Sequence, residues 1–145
     1  MTGNISKRLL NIIDALPLHE GMRVLEIGCG TGIAAREIAS RFGNIYILGI
    51  DRSPKAIQQS LKNCKETVAA GKTSFIQAAI EQFEYEKAKE LFDLVFAIRV
   101  GALDGRHPDK EPAALKNIAK LLQPGGTLYI DGGLPVKAIN IDSYR

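Results

Sequence analysis

Residues 24–32 read Val-Leu-Glu-Ile-Gly-Cys-Gly-Thr-Gly, which places Gly28, Gly30 and Gly32 on alternate positions at the end of an apolar run. Glycine lacks a Cβ and tolerates positive φ, so such a turn lets backbone lie directly against a ligand. A helical apolar stripe begins at once with Ile33. A strand that passes through a glycine turn into a helix is a place for a nucleotide-like ligand. The spacing refines this. A dinucleotide fingerprint wants glycine at relative positions 1, 3 and 6, whereas here the third glycine is at position 5 and Ile33 stands at position 6. That argues against NAD and against a pyrophosphate.

The elements that must position this turn are legible around it. Apolar runs at Arg23 to Ile27, Asn44 to Ile50, Thr73 to Ala78, Asp93 to Ile98 and Gly126 to Asp131 are rich in Val, Ile, Leu, Phe and Tyr, too short for helices, and read as strands. Stripes with helical spacing separate them: Ile33, Ile38 and Phe42; then Ile57, Leu61, Cys64 and Val68; then Leu115, Ile118, Ala119 and Leu122. The segment from Glu81 to Leu91 has room for a short helix only. An opening amphipathic helix carries Ile5, Leu9, Ile12, Ile13 and Leu16 on one face and stops at Pro17. Ser53-Pro54 is an N-cap with proline at the first helical position, Lys110-Glu111-Pro112 reads as a helix start, and Pro124-Gly125-Gly126 turns into the fifth strand. Alternating strands and helices imply right-handed crossovers and a parallel sheet covered on both faces.

The chain resembles the class I S-adenosylmethionine-dependent methyltransferases, whose first motif is E/D-x-G-x-G-x-G. The resemblance runs in order across about residues 20–133: Glu26 to Gly32; Ile50-Asp51, with its acid 19 residues after Gly32; Phe92-Asp93-Leu94-Val95; and Leu122-Gln123-Pro124-Gly125-Gly126-Thr127-Leu128. It implies a three-layer α/β Rossmann-like sandwich with parallel strands in the order 3-2-1-4-5 and a ligand at the strands' C-terminal ends. It also implies S-adenosyl-L-methionine as cofactor, with Asp51 on the ribose hydroxyls and Arg52 beside it. Glu26 would either contribute to holding the methionine ammonium or brace the glycine turn. Gly28, Gly30 and Gly32 would pack against the methionine and ribose portions, with the Cys29 carbonyl toward the ammonium and its thiol not a nucleophile. Two departures stand out. The third strand leads into Ala79-Ile80 where the family has an acid for the adenine amino group, leaving the Ile80 backbone or Glu81 to read it. Only Gly132 to Arg145 follow the fifth strand, where the family continues through a helix and an antiparallel strand pair; Val136 to Ile141 can supply one short strand at most.

After the fourth strand, where the family places substrate-facing residues, Arg99 can hold an anionic substrate or pair with a surface acid, and His107 can act as a base or simply be solvated. Asp104, His107 and Asp109 can be weighed as metal ligands, but a proline-containing polar loop reads more simply as solvated, and no metal is assigned. Asp131 either lines the substrate side or makes the turn with Gly132 and Gly133. His19 reads as a loop residue. The Asn/Asp-Pro-Pro-Tyr signature of nucleobase amino methylation is absent, as is the Pro-Cys pair of cytosine C5 methylation.

Length and composition agree with a single domain spanning residues 1–145: 46% hydrophobic, 24% charged and 14 glycines describe a globular chain rather than a disordered one. A net charge of +3 is too small to argue for nucleic acid. Cys29 and Cys64 form no paired motif and suit a reducing compartment, the opening residues lack the apolar stretch of a signal peptide, and no run approaches the roughly 20 residues of a membrane span. The expectation is therefore a cytoplasmic, non-membrane methyltransferase acting on a small molecule. A cofactor-binding subunit without independent catalysis, or an enzyme acting on protein or RNA, is the alternative. With so little chain beyond it, the fifth strand is expected at a sheet edge, pairing in a homodimer through Gly126 to Ile141.

Overall fold

The computed structural model describes residues 5–84 and 90–145. Ser6 caps the first helix, its Oγ accepting from the Leu9 N–H, and α1 (Lys7–Ala15) buries Ile12 and Ile13 before Leu16 turns extended ahead of Pro17. The strands are β1 (Arg23–Ile27), β2 (Tyr46–Asp51), β3 (Thr73–Gln77), β4 (Phe92–Ala97), β5 (Leu122–Asp131) and β6 (Val136–Ile139). Between them lie α2 (Ile33–Arg41), α3 (Pro54–Asn63), α4 (Lys65–Ala69) and α5 (Glu111–Leu121). One sheet holds all six strands in the order β3-β2-β1-β4-β5-β6, with β6 antiparallel to β5 and the other neighbours parallel.

Burial on both faces explains the continuous apolar strands. Val24 and Ile47 pack with Ile13 and Ile38 on the α1/α2 side, whereas Leu25, Ile27 and Val95 pack with Leu115 and Ile118 of α5 on the other. The strand order reverses between β1 and β4, so their C-terminal ends part and leave a crevice, the position where open α/β sheets bind ligands.

Three expectations change. Pairing of β5 starts at Leu122 rather than Gly126: Phe92 lies opposite Leu122 and Leu94 opposite Thr127, so Pro124-Gly125-Gly126 is an irregularity inside the strand. A Cβ at Gly126 would lie 3.1 Å from the Asp93 carbonyl oxygen, which is why glycine is required where the chains close up again. The second helical stripe breaks at Cys64 into α3 and α4, and its Leu61 and Val68 are exposed while Ser60 and Cys64 are buried. The open edge next to β5 is covered by the chain's own β6, Leu128 opposite Ile139 through Asp131 opposite Val136, which removes the reason for a homodimer through β5. A 3-10 turn at Ile80–Gln82 opens the segment where a short helix is expected between Glu81 and Leu91, and residues 85–89 of that segment lie outside the described residues.

Candidate functional site

A cleft of about 410 Å³ opens at the C-terminal ends of β1, β2 and β4, a volume in the range of small-molecule sites. Gly28, Asp51, Arg52, Ala79, Ile80, Arg99 and His107 share its wall. Glu26, Cys29, Gly30 and Gly32 do not; they belong to the end of β1 and to the turn of which Ile27 and Gly28 reach the cleft.

That turn is fixed from three directions. The N–H groups of Gly28 and Cys29 both donate to the Ile50 carbonyl at the end of β2, at 2.8 and 3.0 Å. All three glycines have positive φ, +74°, +55° and +82° in order, so side chains at these positions would be strained. Their surroundings differ. A Cβ at Gly28 would sit 2.9 Å from the Val100 side chain, one at Gly32 would meet Ser60 of α3 at 3.1 Å, and one at Gly30 would meet nothing. Gly32 is therefore a packing requirement between the turn and α3.

The third direction is α3, whose buried side is polar. Ser60 Oγ donates to the Gly30 carbonyl at 2.8 Å, Asn63 Nδ2 to the Thr31 carbonyl at 2.9 Å and Cys64 Sγ to the Gly32 carbonyl at 3.3 Å. Three donors at spacing i, i+3, i+4 thus meet three consecutive carbonyls, and the turn's acceptors are drawn toward the helix. An apolar-stripe reading missed Ser60 and Asn63. The signal for them is that polar residues at helical spacing follow a glycine turn that must put its carbonyls somewhere.

Asp51 closes the turn from β2. Its Oδ2 accepts from the Gly30 N–H and its Oδ1 from the Ser53 N–H, both at 2.9 Å. Each carboxylate oxygen can accept two hydrogen bonds, so one acceptor site per oxygen is left on the cleft wall. Two adjacent hydroxyls match that pair.

Glu26 is only 4% exposed and its Oε1 has no hydrogen-bond partner. Burial, and then the charge of Asp51, pushes its carboxyl well above the usual carboxylate range. An unpaired buried carboxylate is costly unless a cation or donor reaches it. This orphan, directly behind the glycine turn, fits a ligand that brings an ammonium group. Cys29 next to it is inert: burial, helped by the Glu26 charge, drives its thiol up to about 12, and its carbonyl already accepts from the Gly32 N–H.

The Ile80 carbonyl accepts from Asn117 Nδ2 at 2.8 Å and from the Phe83 N–H at 3.3 Å, which leaves its N–H as the group able to face a ligand. Glu81 lines the cleft with its carboxylate 3.7 Å from Lys110 Nζ. The catalytic candidates separate. The backbone of Gly101 passes so close to the His107 ring that a Cβ there would overlap it, so glycine is needed for that ring position on the wall. Asp104 is committed to Arg106, whose Nε lies 2.9 Å from one of its oxygens, and that contact holds the Asp104 carboxyl below the usual range. Asp131 does not face the cleft; it accepts from the Arg99 N–H and from Arg8 Nη2. His19 bonds the Glu20 carbonyl in a loop, and α5 starts at Glu111 as expected. Among the described residues there is no group of three or more metal-ligating side chains, and no helix is long and apolar enough to cross a membrane.

Residues 18–134 match the sequence family described as a methyltransferase domain. An O-methyltransferase from Aspergillus nomiae is 31% identical over 140 residues, covering 93% of this chain and 56% of the relative. Among solved structures, a SAM-dependent methyltransferase from Thiobacillus denitrificans, in complex with S-adenosyl-L-homocysteine, superposes with a TM-score of 0.68 at 25% identity, over 87% of this chain and 48% of that one. The cyclase SpnF superposes with a TM-score of 0.67 at 28% identity, over 85% of this chain and 43% of its own. The chain thus spans about half the length of these relatives.

Proposed function

The chain belongs to the class I S-adenosylmethionine-dependent methyltransferases, and on that premise we propose that it binds S-adenosylmethionine in this cleft and directs methyl transfer to a small-molecule nucleophile. The observation that carries the reading is Glu26, a buried carboxylate at the start of the glycine turn whose unpartnered oxygen favours a ligand that brings a cation to that turn. Asp51 offers its two remaining acceptor sites to the ribose hydroxyls. Ala79, the Ile80 N–H and Glu81 flank the adenine, with Glu81 as the one carboxylate there able to accept from its amino group. Arg52 borders the same half.

When bound, the cofactor supplies a methyl group already activated on a sulfonium. The chain's own residues then have mostly positional work, because alignment in a preformed site removes the entropic part of the barrier. Val100, Gly101 and Ala102 shape the wall facing the cofactor half, and His107 takes a proton from any acceptor that still carries one on its nucleophilic atom.

Titration calorimetry with S-adenosylmethionine and S-adenosylhomocysteine tests the cofactor. Release of S-adenosylhomocysteine against a panel of carboxylates, amines, phenols and thiols, with and without cell extract, tests the reaction. Cofactor binding with no transfer under any condition would remove the enzyme reading. It would favour the second one, binding without methyl transfer, for which the likeness to a protein named as a cyclase is the supporting observation: a shared fold does not fix the chemistry.

A further inference from the structure

Arg99 is the one residue other than glycine with positive φ among the described residues, at +57°. Backbone of this kind persists only where its surroundings over-determine it. Here they do so on both sides of the residue. The Arg99 N–H donates to Asp131 Oδ1 at 3.1 Å, and the Arg99 carbonyl accepts from Arg106 Nη2 at 2.7 Å. Asp131 is itself held by Arg8 Nη2 at 3.1 Å, and Arg106 by both oxygens of Asp104. The N-terminal helix, the end of β5 and the loop after β4 thus converge on the backbone of one residue.

Its side chain is left over. Arg99 is exposed at the rim of the cleft it helps to line, and its guanidinium has no ion-pair or hydrogen-bond partner among the described residues. The acids near it are committed elsewhere: Asp51 to two N–H groups, Glu81 to Lys110, Asp104 to Arg106 and Asp131 to Arg8 and the Arg99 backbone. Arg52, the other arginine on the wall without a counterion, lies beside Asp51 on the half assigned to the cofactor. An arginine whose backbone is fixed at the mouth of a cleft and whose guanidinium has no internal counterion is matched to an oxyanion from outside, which its planar fork binds through two parallel hydrogen bonds.

We propose that Arg99 is the specificity-determining residue of the acceptor half of the cleft, that the methyl acceptor carries a carboxylate or phosphate group, and that Asp131 positions Arg99 to receive it. This rests on the cofactor reading above, and the experiment separates the two. Calorimetry first measures S-adenosylhomocysteine binding to the purified chain. The loaded protein is then titrated with benzoate, phenyl phosphate and the neutral benzamide. At least one anion is expected to bind tenfold or more tighter than benzamide, and the stronger of the two tells carboxylate from phosphate. Arg99→Asn, whose new residue tolerates this backbone region, should abolish that preference with S-adenosylhomocysteine affinity unchanged. Arg99→Lys should keep part of it. Asp131→Ala should lower the preference several-fold, and Asp131→Asn, which retains an acceptor for the Arg99 N–H, should restore most of it. Equal binding of anions and benzamide to the loaded protein, or a preference that survives Arg99→Asn, overturns the proposal while leaving the cofactor assignment standing. Failure of S-adenosylhomocysteine to bind in the first titration overturns both.

Discussion

Replacing Glu26 with Gln should make the cofactor-free protein more stable and the cofactor weaker, two effects of opposite sign from one atom. In the free protein a buried carboxylate oxygen has no partner, and the charge of Asp51 adds repulsion. An unsatisfied buried polar group costs about 1–3 kcal/mol, and more when it is charged, so removing the charge should gain at least about 1 kcal/mol. For a domain of this size that raises Tm by about 2–4 °C. The pH dependence has a fixed sign. The folded-state pKa of Glu26 lies above its unfolded value, so ionising it disfavours the fold. The cost is absent below the ordinary carboxylate range, grows as pH rises toward the raised folded value, and is constant above it. The Tm difference between Glu26→Gln and the parent should therefore vanish in acid and widen toward neutral and alkaline pH. Binding runs the other way. An ammonium restores a counterion, and losing one charge-assisted hydrogen bond costs about 1.5–3 kcal/mol, or roughly 10- to 150-fold in Kd. Below the raised pKa, cofactor binding should also release a proton, visible as a buffer-dependent calorimetric enthalpy. The assays are thermal unfolding from pH 4 to 9 and titration with S-adenosylhomocysteine. A variant that is less stable than the parent at pH 8, or that binds as tightly, would refute the reasoning.

Asp51→Asn should weaken S-adenosylhomocysteine at least tenfold and destabilise the fold by about 1–3 kcal/mol, because whichever way the amide turns, its NH₂ confronts the N–H of Gly30 or of Ser53; calorimetry and urea unfolding read the two effects. Ser60→Ala strands the Gly30 carbonyl and should cost about 1 kcal/mol of stability together with a several-fold loss of cofactor affinity, whereas a loss of stability alone would show that α3 only packs. The Cys29 thiol, pushed up to about 12, should resist a disulfide reagent at pH 8 in the native protein and react at once in urea; rapid native labelling of Cys29, mapped by peptide mass, would contradict its burial.

Much of the fold was legible because it is written in local signals. Strands buried on both faces read as unbroken apolar runs, and Ser53-Pro54 and Pro17 mark helix ends whatever the tertiary context. What was not legible depends on contacts between distant segments. The start of β5 at Leu122 is set by pairing with Phe92, thirty residues earlier, and no local feature of Pro124-Gly125-Gly126 tells a turn before a strand from an irregularity within one. For β6 the short strand within Val136 to Ile141 was legible, but its antiparallel pairing was not, since that depends on the edge that Leu128 to Asp131 present to it.

The site divides along the same line. Gly28 and Asp51, on the cleft wall, are found by spacing because a glycine turn and a strand's end mark their places in the chain, and Ala79 by its departure from the family pattern. Ser60, Asn63 and Asp131 are not, because each is defined by the partner it meets. Ser60 and Asn63 sit in a stretch whose apolar residues Leu61 and Val68 suggest the wrong buried face, and the carbonyls of the glycine turn decide it instead. Asp131 was weighed as a wall residue, yet its two bonds, to Arg8 and to the Arg99 N–H, make it a brace whose effect is felt one residue away. In each case a polar group that backbone geometry leaves unpaired recruits a side chain from another element, so that accounting for every carbonyl and N–H of the glycine turn and of the Arg99 loop locates residues that spacing alone passes over.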